Sequence, residues 1–364
     1  MIWTLPFFAI LLFTVMTDSV QSDWPRTVFR AAASLLCAAY IVVGARKGSV
    51  RIHWLLIPSA LIAVWGLLQL GLDSTVWHYA TWRAALQWIA CLALFFAAMQ
   101  CVALRFNLQL AAWFGGLYSF YALIHYGTSS ASGERMSATF LNHNHYAALM
   151  ELLFPVALWR ISRERRKVIF VLCAAVMFVS VAIVGSRAGI VLLFLELVYL
   201  GLRTTPKPLY VLSGAVLVAA LAAGLMWTRF RALSTNGPYD SRGATARASL
   251  KMIRARPLLG FGLGTWANVY PAYAQQDTGF RLIHADDDWL EWTAEGGVPF
   301  TLFLLALAAF AIASAWREPW CVGCVAVMLH SLTEFPLQKQ AIWAWLVVLL
   351  AVAQPSKQKA VRQE

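Results

Sequence analysis

His284 stands in the stretch RLIHADDDWLEWTAEGG (Arg281–Gly297), beside three consecutive aspartates and two tryptophans. Residues of these types at this spacing could do three things. If a helix begins a turn before the aspartates, His284, Asp288, Glu291 and Glu295 fall at i, i+4, i+7 and i+11 on one face. The carboxylates would then fix the imidazole's orientation and tautomer and raise its basicity, making His284 a general base with Asp288 as helper. The same side chains could instead hold a hard divalent ion, the chemistry of aspartate-rich motifs that bind pyrophosphate through magnesium. If the helix starts near Asp286, that residue is its N-cap, and Asp287 and Asp288 only favour the positive helix end. That third reading leaves His284 unexplained.

Three further stretches carry polar chemistry. In SATFLNHNHYAAL (Ser137–Leu149), Asn142, His143, Asn144 and His145 stand in a row at the mouth of a helix. One or two would serve as a cap; four exceed that need, so Asn142, Asn144 and His145 are candidate sugar or phosphate contacts. In VGSRAGI, Arg187 is flanked by Gly185, Ser186 and Gly189, which leave its guanidinium accessible. It either snorkels to the interface or binds phosphate through its planar fork. In SRGATARASLKMIRARPLLGFGLGTW, Arg247, Lys251 and Arg254 share one helical face, and Pro257 ends that helix. Arg242 and Arg247 are candidate phosphate ligands, whereas Lys251 and Arg254 could simply lie on anionic headgroups. No strand precedes the glycine-rich GFGLG, which argues against a dinucleotide fold. His330 and Glu334, at i and i+4, read as a structural hydrogen-bonded pair.

The elements that position these groups are transmembrane helices. Of 364 residues, 60% are hydrophobic and only 13% charged, too few charges to cover a soluble protein. About twelve apolar runs are long enough to span a bilayer: 3–17, 27–44, 53–71, 82–104, 107–126, 143–159, 167–185, 188–202, 208–227, 298–316, 319–334 and 340–353. Alternate connections (ARKGSVR, LRFN, RISRERRK, LRTTPKP, WREP and the tail SKQKAVRQE) hold 15 Lys/Arg against 3 Asp/Glu, leaving 14 of each elsewhere. The net charge of +12 is thus a topology signal that puts this face and both termini in the cytoplasm. Nucleic-acid binding, the rival explanation of such a charge, is disfavoured because the basic residues are scattered over short loops. The opening segment lacks a basic start and a cleavage site and reads as the first span. All six cysteines fall in apolar segments, which points to packing; this includes the Cys321/Cys324 pair.

The expected fold class is an all-α polytopic membrane protein with about twelve transmembrane helices and one large periplasmic loop containing short helices. N-terminal helices occupy 1–126. A second membrane region spans 127–353 and includes the loop at 228–297, and a cytoplasmic tail covers 354–364.

In order along the chain, TFLNHNHYA, GSRAGI, SRGATARASLKMIRARPLLGFGLGTW, HADDDWLEWTAEGGVPF and LHSLTEFPLQ together resemble the bacterial O-antigen ligase and polymerase family of membrane glycosyltransferases. The resemblance covers Ser137 to Leu337. It implies an inner-membrane enzyme with its site facing the periplasm, moving a glycan from an undecaprenyl-diphosphate-linked donor to an acceptor hydroxyl. The acceptor would be the lipid A core for a ligase, another glycan for a polymerase, or a protein. By the same resemblance Arg187 and Arg242 face the diphosphate, Asn142 and Asn144 belong to the polar membrane-entry motif, and His284 matches the motif that carries the base. Relatives commonly carry His and Asn where this chain has Asp286 and Asp287, so the base is His284 or, by position, Asp286. No metal or other cofactor is implied. The rival from another class is a lipid-glycan or solute transporter, whose usual paired halves are not evident here.

Overall fold

The computed structural model describes residues 4–46, 48, 50–101, 107–128, 137–165, 167–205, 214, 239–274 and 281–354. Among these the secondary structure is entirely helical. Helices α1 (Leu5–Met16), α2 (Trp24–Arg46), α3 (Leu56–Gly71), α4 (His78–Gln100), α5 (Leu108–Thr128), α6 (His143–Arg163), α7 (Lys167–Val184) and α8 (Arg187–Thr204) precede a polar cap. The cap holds α9 (Tyr239–Ala255) and the short α10 (Trp266–Val269); α11 (Asp288–Arg317), α12 (Val322–His330) and α13 (Gln340–Val352) follow. By length and composition α2, α4, α7 and α11 can cross a membrane, while α1, α3 and α13 are shorter apolar helices. The span expected at 208–227 lies, but for residue 214, outside the described residues.

Burial sorts the helices. Every residue of α6 from His145 to Ala157 and of α13 from Ala341 to Val352 is buried, so these two form the centre, as expected of helices that are apolar all round. By contrast, Leu35 on α2, Leu117 on α5 and Val168 on α7 lie open, an outward apolar surface that suits acyl chains.

The connections gather at two ends. At one, the Thr139 hydroxyl donates to the Val15 carbonyl (2.6 Å), Arg256 donates to the Ser74 carbonyl (3.0 Å), and the Asp288 N–H donates to the Ser331 carbonyl (2.9 Å). At the other, the Arg51 N–H donates to Gln100 Oε1 (2.8 Å) and the Tyr199 hydroxyl to the Ala315 carbonyl (2.7 Å). The second end carries the basic connections of the sequence; the first carries the cap.

The cap has a small core of its own, with Met252, Phe261, Trp266 and Tyr270 packed against Ala285 and Ala294. Met252 and Ala248 supply the inner face of α9, while Arg247, Lys251 and Arg254 lie on its exposed side. The glycine-rich turn passes so close to the α3–α4 connection that a Cβ on Gly262 would collide with Thr75, and its φ of 110° is one that glycine adopts freely. Gln69, fully buried on α3, fastens the cap. Its amide donates to the carbonyls of Leu259 (2.6 Å) and Glu295 (2.8 Å) and accepts from the Leu263 N–H (3.0 Å). Near the membrane entry α11 kinks at Gly297 (φ 79°), two residues before Pro299. The amide freed there, on Val298, donates to the Pro257 carbonyl (2.8 Å). The first turns of α11 thus belong to the cap and the remainder to the bundle.

Candidate active site

Three aspartates compete to start α11, and Asp287 is the one that caps it, its Oδ1 accepting from the Leu290 N–H at 3.0 Å. The expectation of an Asp286 cap is therefore corrected. Asp286 instead adopts φ 56°, the left-handed region that aspartate tolerates better than most side chains. The chain reverses there, so His284 precedes the helix and never joins its face. The i, i+4, i+7, i+11 register does not form. The reversal swings His284 over the first turns of α11, where its Nδ1–H donates to Glu291 Oε1 at 2.9 Å. The other oxygen of Glu291 accepts the Ala285 N–H at 2.7 Å. One buried carboxylate thus holds both the ring and the backbone beside it.

Asp288 turns away from the imidazole. It is fully buried, and its Oδ2 accepts the Leu337 N–H at 2.9 Å. Glu295 is committed to the glycine-rich turn, its two oxygens accepting the N–H groups of Gly264 and Trp266 at 2.8 Å each. The helper expected at Asp288 is therefore displaced to Glu291. The three carboxylates also diverge, and no cluster of three metal-ligating side chains is found among the described residues.

The imidazole of His284 stacks on Phe335 (centroids 4.3 Å, planes 24° apart), and His145 meets the same ring edge-on at 4.7 Å. With Nδ1–H given to a carboxylate, Nε2 carries the lone pair, the tautomer a base needs. His145 is buried and neither ring nitrogen has a hydrogen-bond partner among the described residues.

A second network adjoins this one. Arg242, on the first turns of α9, pairs with Glu334 and lies 3.9 Å from Asp286. Asn144 donates to the same Glu334 oxygen at 2.6 Å. Asn142 caps α6, accepting the Asn144 N–H at 2.8 Å, so one asparagine builds the helix start and the next reaches across it. Burial pushes the carboxyls of Asp286 and Glu334 above their usual range, and the Arg242 guanidinium pulls both back. Burial also raises Asp287, opposed by the Leu290 amide it accepts from.

The expected His330–Glu334 pair does not form. The helix α12 ends at His330, so Glu334 lies in the following turn and faces Arg242. His330 instead meets Glu151 of α6 at 2.7 Å, with both side chains fully buried. Arg187 opens α8 after the Ser186 cap, whose hydroxyl accepts the Gly189 N–H at 3.2 Å. Gly189 lies against Ala147 of α6, which puts the start of α8 beside the start of α6. Arg247 stays on the exposed face of α9, folded back over Gly243.

His284 also lines a cavity of about 320 Å³. Four cations border it: Arg26 and Arg30 from α2, Arg83 from α4, and Lys339 before α13. Trp88, Trp292 and Trp343 line it as well, with ring centroids 5.1–5.9 Å apart. Sequence reasoning found no motif in the first helices and missed this wall. A signal was nonetheless present: Arg26, Arg30 and Arg83 sit at the span ends away from the basic connections, against the rule that places arginine inside.

Residues 172–305 match the family model described as O-antigen ligase. Over that segment the chain is similar to the O-antigen ligase family. The matched segment runs from α7 through the cap into α11 and holds Arg187, Arg242, His284 and Glu291. No curated protein matches the chain. His284 and Glu291 thus lie inside the matched segment, while Asn144, Glu334 and Phe335 reach them and Arg242 from outside it.

Proposed function

We propose that the protein is an inner-membrane glycosyltransferase of the O-antigen ligase type, moving a glycan from an undecaprenyl-diphosphate-linked donor to an acceptor hydroxyl, with the lipid A core as acceptor. The observation that carries this reading is the His284–Glu291 pair inside the family-matched segment, with His284 on the wall of a cavity. The family points to a membrane enzyme of O-antigen ligase or polymerase type; donor, acceptor and residue roles are our reading.

In the proposed step the acceptor oxygen forms a bond to the anomeric carbon as the carbon–oxygen bond to the diphosphate breaks. The acceptor proton passes to His284 Nε2, and the diphosphate leaves with the bonding pair. Glu291 stabilises the imidazolium that forms. Asp286 is the weaker candidate for base, because its carboxylate already faces Arg242. Arg242 rests on Glu334; an incoming diphosphate, more highly charged, displaces that carboxylate and is stabilised as it departs. Arg187 approaches the diphosphate from the start of α8. Such a transfer needs no cofactor, because the leaving diphosphate supplies the driving force. The basic connections support cytoplasmic termini and a periplasmic site.

The test mixes purified protein, lipid-diphosphate glycan and acceptors offered one at a time. Transfer to a lipid A core with release of lipid diphosphate is the expected result. Transfer only to a second glycan or to a protein would make it a polymerase or a protein glycosyltransferase. Movement of the glycan across vesicles without bond cleavage would make it a transporter.

A further inference from the structure

The cavity beside His284 has more positive charge than its surroundings neutralise. Asp23 pairs with both Arg83 and Arg26, at 3.7 Å from the latter, so one carboxylate serves two guanidiniums. Arg30 makes its hydrogen bonds to neutral oxygens, the Gln87 side chain (3.4 Å) and the Arg83 carbonyl (3.0 Å). Lys339 lies over the Phe335 ring at 6.0 Å and shares the field of the buried Asp18 carboxyl with Arg26, so the four cations still outnumber the acidic groups beside them. The acidic side chain on the wall, Glu295, has both oxygens occupied by backbone amides. Two buried polar atoms of wall residues, Gln338 Nε2 and Gln340 Oε1, have no partner among the described residues. Arg242, Asp286 and Glu334 do not line this space. Excess charge beside a corner of indoles set edge to face, at 61–83° to one another, is the chemistry of a site for an oxyanion carried on a ring. Guanidinium forks match phosphate and carboxylate oxygens, and indole faces pack against the C–H face of a sugar as they pack against other apolar surfaces. A transfer with one base also needs two sugar sites that meet at that base.

We propose that this cavity is the acceptor subsite and takes an anionic sugar, a hexose bearing a phosphate or carboxylate, with the oxyanion on Arg26, Arg30 and Arg83 and the ring against Trp88 and Trp343. This rests on the transferase reading above. The anion orients the acceptor so that a free hydroxyl meets His284 Nε2, while the donor approaches from the Arg242 side.

Binding to the full-length protein in zwitterionic nanodiscs tests this without any turnover. Calorimetry should show glucose 6-phosphate and glucuronate binding at least tenfold tighter than glucose. Arg30→Gln and Arg83→Gln should each lose most of that preference. Arg30→Lys, which keeps the charge and the fold but not the fork, should lose a few-fold. Trp88→Phe should weaken all three sugars, and Arg254→Gln on the exposed face of α9 should change nothing. Equal binding of glucose and glucose 6-phosphate by the unaltered protein would overturn the proposal. So would an unchanged preference in Arg30→Lys, or competition by a short-chain polyprenyl diphosphate, which would assign the cavity to the donor. If the sugars bind as expected but no glycan transfer is found with any acceptor, the transferase reading fails and the anionic-sugar site stands.

Discussion

Arg242 and Arg30 are both arginines on the His284 side of the bundle, yet their surroundings differ in kind. Arg242 is met by two carboxylates, Glu334 and Asp286, and an asparagine shares the first of them. Arg30 hydrogen-bonds only neutral oxygens, and its neighbours Arg26 and Arg83 share one ion-paired carboxylate, Asp23. A guanidinium already paired is held in place and must be released to bind a ligand. One left in excess is ready for an anion, at a standing electrostatic cost to the fold. The comparison gives each wall of the site a different character: a latched wall on the cap and an open wall on the first helices.

The two walls keep their relation only while the cap stays fastened. The buried Gln69 side chain makes three hydrogen bonds to the cap and to α11, so Gln69→Leu should cost about 2–4 kcal/mol. A thermal melt in detergent should fall, and both anion sites should weaken together. Loss at one wall alone would show that the cap is held by something else. A smaller effect is expected from Glu334→Gln, which unlatches Arg242. Affinity for a short-chain polyprenyl diphosphate should rise by roughly tenfold, about 1.4 kcal/mol, while sugar phosphate binding on the open wall stays constant. A fall in diphosphate affinity would mean that Glu334 positions Arg242 for the ligand and does not restrain it.

The smallest effect concerns Asp18, in the α1–α2 connection. Burial raises its carboxyl from 3.8 to about 6, opposed by Lys339 and Arg26. A carboxyl raised in the folded state favours folding when protonated, so its contribution is full below pH 3.8 and is lost as pH rises through about 6. Asp18→Asn should therefore melt higher than the parent above pH 6, by about 1–2 kcal/mol after discounting for solvent screening. The difference should vanish toward pH 4. A variant less stable than its parent at pH 7 would show that the attraction to Lys339 outweighs burial.

Much of the latched wall was legible in sequence because its signals are local. Asn142 before an apolar run is a helix start, Pro257 is a helix stop, and a histidine amid carboxylates marks a candidate site. What misled was also local. Any of three aspartates can cap a helix, and only the left-handed turn at Asp286 decides for Asp287. The spacing of His330 and Glu334 has meaning only while a helix continues, and α12 ends at His330. The open wall was not legible at all. Trp88 meets Trp292, and Arg30 shares a cavity with His284, across some two hundred residues or more, and no spacing rule spans such a distance. Its arginines break the charge asymmetry of the spans, a hint that gains meaning only once the helices are packed.

His284, oriented by Glu291, is the proposed base. The direct measurement is transfer from lipid-diphosphate glycan to a bound acceptor by the parent, His284→Ala and Glu291→Gln, at saturating substrates and across pH. Both walls should still bind their anions in the variants. His284→Ala should lose roughly 100- to 10,000-fold in kcat. Glu291→Gln should lose less, because the ring keeps its accepting nitrogen and loses only the carboxylate that orients it. Full activity in His284→Ala, with Asp286→Asn inactive, would contradict the account and pass the role of base to Asp286.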